Sequence, residues 1–96
     1  MALKEIVTEN REEIRRIAAK HGVRRISLFG SFARGDPTPQ SDVDFLIEVG
    51  GPTTPWFPGG LVAELERLLG RRVDVVEPDV LREPLRTRVF AEAVPL

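Results

Sequence analysis

The 96-residue sequence has no cysteine and a single histidine, His21. Without cysteine there is neither a disulfide scaffold nor a thiolate metal site, and one histidine cannot supply the paired ligands of a zinc motif. A Ser-His-Asp triad would have to use His21, which falls in the last turn of a charged helical pattern, where the helix C-terminus favours it without any chemistry. Any metal is therefore expected to be held by oxygen. No window approaches the roughly 20 apolar residues of a membrane span. The opening segment carries Glu5 and Glu9 where a signal peptide needs an apolar stretch, so the chain reads as cytoplasmic. Asparagine and glutamine occur once each, and arginine outnumbers lysine twelve to two, a bias that a thermophilic source or simple base composition would both produce.

What is present, 42% hydrophobic and 30% charged residues, suits one soluble domain over residues 1–96, since domains commonly run to about 100–150 residues. The formal net charge is −1, yet residues 1–35 hold eight Lys or Arg against four Asp or Glu, and residues 36–96 hold six against eleven. Such a split suits a polyphosphate lying between a basic element and metal-binding carboxylates, although two differently charged helix faces give the same totals.

From Leu3 to His21 the apolar residues Leu3, Ile6, Val7, Ile14, Ile17 and Ala18 form the stripe of one amphipathic helix, which Gly22 ends. Val23 to Phe29, aliphatic and bounded by glycines, reads as a strand. Gly30 to Ser41 contains Pro37 and Pro39 and reads as a connection. Asp42 to Val49 alternates cleanly, with Val43, Phe45, Ile47 and Val49 on one face and Asp42, Asp44, Leu46 and Glu48 on the other. Residues 50–60 hold four glycines and three prolines and predict a loop, in which Trp56 and Phe57 either plug the core or present a stacking or docking surface. Leu61 to Leu69 predicts a helix closed by Gly70, Val73 to Val76 a third strand and Pro84 to Val94 a last helix. The order predicts an α/β (α+β) fold, a small mixed sheet of about three strands packed with helices. Strands one and two should be antiparallel, and strands two and three parallel.

Asp42 and Asp44, two apart on a strand, project to the same face. Asp74, inside a strand expected beside theirs, could add a third carboxylate, and strand interiors disfavour aspartate. Three such charges about 5–6 Å apart repel by roughly 0.7 kcal/mol per pair in water and about 3 kcal/mol at an effective dielectric of 20. A hard divalent cation offsets that repulsion, and Mg²⁺ takes a few carboxylates while keeping positions for substrate phosphates. Separate solvated acids are the plainer alternative. Gly30-Ser31 leaves the first strand as a turn in which a phosphate can approach the backbone, and Ser31 adds a hydroxyl. No P-loop lysine motif exists in the chain.

Taken in order, Gly30-Ser31, Arg34-Gly35, Ser41-Asp42-Val43-Asp44 and Val73-Asp74-Val75, the chain resembles the nucleotidyltransferase superfamily of the DNA polymerase β fold. More narrowly it resembles the minimal nucleotidyltransferases of bacteria and archaea, over residues 22–78. The resemblance implies transfer of a nucleoside monophosphate from ATP or another NTP to a hydroxyl, with release of pyrophosphate. Gly30 and Ser31 would bind the β- and γ-phosphates, Asp42 and Asp44 would hold two Mg²⁺ ions, and Asp74 would ligate the ion near the attacking oxygen and help accept its proton. Arg34 either pairs with phosphate oxygens or is simply solvated. Relatives of this size pair with a HEPN-domain protein in what resembles a toxin–antitoxin system, the nucleotidyltransferase being the antitoxin that adenylylates and binds the toxin. Little protein follows Asp74 to build a small-molecule acceptor pocket, which favours a macromolecular acceptor. The loop at 50–60 departs from the helical run of the family, leaving partner contacts and nucleotide access open. A silent docking module is the alternative; a homo-oligomer stays open, and nucleic acid is disfavoured by the slightly negative charge.

Overall fold

The computed structural model describes residues 2–96. After a 3₁₀ turn at Leu3–Glu5 come α1 (Ile6–Glu9), α2 (Arg11–Lys20), β1 (Val23–Phe29), α3 (Ser31–Arg34), β2 (Val43–Val49), α4 (Gly59–Leu69) and β3 (Val73–Val76). A second 3₁₀ turn at Pro78–Val80 leads to α5 (Leu85–Glu92) and β4 (Val94–Pro95). The four strands form one sheet in the order β3-β2-β1-β4. β1 and β2 are antiparallel and β2 and β3 parallel, as the connection lengths predict.

One face of the sheet carries Ile26, Leu28, Val43, Phe45, Ile47 and Val73, and these pack with Val7 of α1, Ile14, Ile17 and Ala18 of α2, and Leu61, Leu65 and Leu69 of α4. The α4 contacts recur at four-residue spacing, so one stripe of the helix is wholly inside. The opposite face is covered by the C-terminal segment, where Leu46 meets Leu81 and Val89, flanked by Phe29, Val76 and Ala93. β2 is thus buried on both faces over Phe45–Ile47, while its acids stand at its start, beyond the cover.

Three expectations need correction. The single helix from Leu3 to His21 is broken at Asn10, whose backbone leaves the helical region and whose Nδ2 donates to the Ile6 carbonyl at 2.7 Å. An asparagine amide competing for a backbone carbonyl is the usual way such a side chain interrupts a helix. Val94 is not the end of the last helix: α5 stops at Glu92, and Val94 and Pro95 pair with Leu28 and Ser27 as an added edge strand. Trp56 and Phe57 part company. Phe57 packs against the core, whereas Trp56 is 92% exposed with a φ of 63°, a conformation uncommon for a bulky residue.

Candidate functional site

The end of β1 and the start of β2 lie side by side, with Phe29 paired to Asp44, so the turn leaving β1 meets the acids entering β2. Gly30 is the residue that permits this. Its φ is 77°, and a Cβ built on it would collide with Asp44 Oδ2; glycine is needed both for the left-handed conformation and for the close approach of the carboxylate. The Gly30 carbonyl then accepts from the N–H groups of Ala33 and Arg34 at 3.0 and 3.1 Å, which winds Ser31–Arg34 into one helical turn. The leading N–H groups of such a turn have no acceptor within it. Phe32 is buried beneath it and fixes its seat.

Gly30, Ser31, Arg34, Ser41, Asp42 and Asp44 line one cleft of about 380 Å³, walled on its far side by Leu85, Arg88, Val89 and Glu92 of α5. Asp74 is the register partner of Asp44 on β3 and is exposed, standing beside the cleft rather than lining it. Asp42 pairs loosely with Arg72, Oδ1 to Nε 3.8 Å. Among the described residues, no group of three His, Cys, Asp or Glu side chains closes tightly enough to cage a metal ion.

The electrostatics of this cluster centre on Asp44. Its carboxyl is raised from 3.8 to about 6, chiefly by burial, then by the charges of Asp74 and Asp42, with Arg34 pulling the other way and Glu92 adding to the rise. Asp44 is a half-buried member of an acid group that a nearby cation would relieve. The donor set is entirely hard oxygen, which suits Mg²⁺ rather than a softer metal, and Mg²⁺ is commonly held by one or two carboxylates with phosphates and water completing its shell. The residues present therefore fit that ion without a protein cage.

Two residues of the site escape sequence reasoning. Arg71 donates from Nη2 to the carbonyls of Pro39 and Ser41, at 2.6 and 3.1 Å, and its guanidinium lies 5.6 Å from the centre of the Phe32 ring. It thereby ties the loop carrying Ser41-Asp42 to the turn carrying Ser31. Glu92 accepts from the Gly30 N–H at 2.9 Å and pairs with Arg34 Nη1 at 3.3 Å. An acid in the last turn of a helix opposes the helix dipole, and that was the one available signal for Glu92. Arg71 gave none, because a basic residue after a helix-ending glycine is ordinary.

His21 lies outside the site. It is buried and closes α2, with Nδ1 2.6 Å from Thr54 Oγ1 and Nε2 2.7 Å from Glu64 Oε1, so it pins the 50–58 loop and α4 to α2. The loop with Trp56 follows Val49, which pairs with Val23 at the opposite end of the strands from Gly30 and Asp44.

A Gly-Ser turn laid against the start of a strand, with Asp42 just before that strand and Asp44 inside it, fits a nucleotidyl-transferring enzyme, and the chain belongs to the nucleotidyltransferase domain family, whose model matches residues 7–96. It is 39% identical over 88 residues to a Methanocaldococcus jannaschii protein named as a putative protein adenylyltransferase, covering 92% of this chain and 95% of the relative. It is 35% identical over 92 residues, 96% of this chain and 90% of the relative, to protein adenylyltransferase MntA of Thermococcus cleftensis. A solved structure described as a putative minimal nucleotidyltransferase superposes with a TM-score of 0.84 at 40% identity, covering 100% of this chain and 97% of the other. A toxin–antitoxin structure with AMP-PNP shares the fold, with a TM-score of 0.74 at 22% identity over 90% of this chain and 71% of that one. The protein is a nucleotidyltransferase.

Proposed function

We propose that the protein transfers AMP from ATP to a hydroxyl of a partner protein, and that this partner is a HEPN-domain toxin for which the chain is the antitoxin. The observation that carries the transfer is the single cleft that places the Gly30-Ser31 turn against Asp42 and Asp44, with Asp74 in register beside them. The names of the adenylyltransferase relatives support a protein as acceptor. The HEPN identity follows from the resemblance to minimal nucleotidyltransferases.

In this reading the backbone N–H groups of the Gly30-Ser31 turn, that of Gly30 included once Glu92 gives it up, and the Ser31 hydroxyl take the β- and γ-phosphates, and Arg34 offers a guanidinium to the same oxygens. Asp42 and Asp44 would hold Mg²⁺, a second ion with the help of Asp74, and bound ions would supply charge neutralisation for the in-line displacement. The acceptor oxygen forms its bond to the α-phosphorus as the bond to the β-phosphate oxygen breaks, and pyrophosphate leaves. Asp74, exposed at the rim, receives the proton of the attacking hydroxyl and passes it to water. The chain contributes positioning and charge, which phosphoryl chemistry needs more than a nucleophilic side chain.

The test uses ATP labelled at the α- or the γ-phosphate, incubated with Mg²⁺ and lysate of the source cells, beside an Asp42→Asn/Asp44→Asn control. Transfer of the α-label only, to one protein band and only with the unsubstituted chain, is the expected result. A partner that co-purifies without ever acquiring label would replace this reading with docking alone.

A further inference from the structure

The anion-recognising groups of the cleft are already engaged by an anion from the chain itself. Glu92 Oε1 accepts from the Gly30 N–H at 2.9 Å, and both of its oxygens lie 3.3 Å from Arg34 Nη1. These are two of the donors that the proposed function assigns to the triphosphate. Glu92 reaches them because α5 ends on it and the residues after it are fastened to the β1 edge, Val94 opposite Leu28 and the Leu96 N–H on the Ile26 carbonyl. Val89, one turn earlier and 2% exposed, locks the same helix onto Leu46. The carboxylate is held from both sides of its own position.

We infer that Glu92 is a built-in competitor of the nucleotide, a carboxylate that stands where a phosphate oxygen binds and that the triphosphate must displace. This rests on the reading of Gly30 and Arg34 as phosphate donors. Glu92 shares the cleft with Asp42 and Asp44, but the groups that its oxygens meet at hydrogen-bond distance are an N–H and a guanidinium, which select for negative charge. Displaced, it has a second cation within its own helix. Arg88 lies four residues earlier, the spacing at which side chains on one helix face meet, and it lines the same cleft. The exchange makes nucleotide affinity a difference between two anions at one position, so a weak ligand with a single charge would not dislodge Glu92 while a polyphosphate would.

The experiment measures the Kd of Mg·AMP-PNP and of inorganic pyrophosphate for the unsubstituted chain, Glu92→Gln and Glu92→Asp. Glu92→Gln keeps the shape and still accepts from Gly30 but loses the charge, and it should bind both ligands about tenfold more tightly, about 1.4 kcal/mol. Glu92→Asp keeps the charge on a side chain one methylene shorter and should fall between. A circular dichroism spectrum matched to the unsubstituted chain verifies folding. Equal or weaker binding by Glu92→Gln, with the unsubstituted chain binding normally, would make Glu92 a strut for the turn and overturn the inference while leaving the phosphate reading intact. No binding of either ligand by any of the three chains would remove the phosphate reading and the inference together.

Discussion

Replacing Asp44 by asparagine should make the protein more stable at neutral pH. The Asp44 carboxyl is raised from 3.8 to about 6, so its ionisation opposes folding. At about 1.36 kcal/mol per tenfold change in acidity, the unscreened penalty would be near 3 kcal/mol. Asp44 is only half-buried, and solvent screening reduces this to about 1–2 kcal/mol. The sign follows from proton counting. Between 3.8 and about 6 the native state holds more protons than the unfolded chain, so stability falls as pH rises through that window and the loss is complete above it. An asparagine at this position carries no such penalty, and its amide fits the same space beside Gly30. In metal-free buffer at pH 8, thermal unfolding of Asp44→Asn should therefore lie about 4–16 °C above that of the unsubstituted chain, since a domain of this size shifts by roughly 4–8 °C per kcal/mol. At pH 4, where the native carboxyl is protonated and the unfolded one only about half ionised, most of the gap should be gone. A gap that is constant between pH 4 and pH 8, or a variant that melts lower at pH 8, would refute the electrostatic account of the cluster.

Three further outcomes follow from the packing and the site. Mg²⁺ with AMP-PNP should raise the melting temperature of the unsubstituted chain but not of Asp42→Asn/Asp44→Asn, by the amount that the ligand's free energy of binding dictates; equal shifts would remove the carboxylates from cation binding. Trp56→Ala should change the stability read from urea unfolding by less than about 0.5 kcal/mol, as for an exposed side chain, whereas Phe57→Ala should cost about 1–3 kcal/mol; a large loss for Trp56 would contradict its exposure. His21→Ala removes the partner that Thr54 and Glu64 share, and should destabilise by about 1–3 kcal/mol while leaving the Kd for Mg·AMP-PNP unchanged.

The strands and the facing of the acids were legible because they depend on local alternation. Val43, Phe45 and Ile47 are buried against the helices, and Leu46 on the acid face proved to be covered as well, which is why a stretch of β2 carries apolar residues on both sides. That β3 would lie parallel beside β2 followed from the βαβ connection, which leaves few topologies open; the register that sets Asp74 against Asp44 comes from the structure. What could not be read was any contact whose two ends are distant in sequence and ordinary in composition. Nothing local tells that Arg71 serves the 38–41 loop, or that Glu92, 62 residues from Gly30, caps its N–H. The break at Asn10 is hidden for the opposite reason: the apolar stripe continues on both sides of it, and the interruption comes from a single side-chain amide. The two aromatic residues of the 50–60 loop separate through backbone geometry at Trp56, which residue type does not encode.

The position of Asp74 on the outermost strand has a consequence apart from chemistry. β3 ends the sheet, and its sequence is Val73-Asp74-Val75-Val76, so one aspartate is all that interrupts an apolar run along an open rim. Exposed edges of that composition recruit strands from other chains, and an inward or outward charge is a common guard against it. The same side chain is therefore proposed catalyst and deterrent to aggregation. Substituting a valine or isoleucine there would convert a question about activity into one about solubility, and a chain that fell out of solution would say nothing about transfer; asparagine preserves the polarity of the rim while removing the charge.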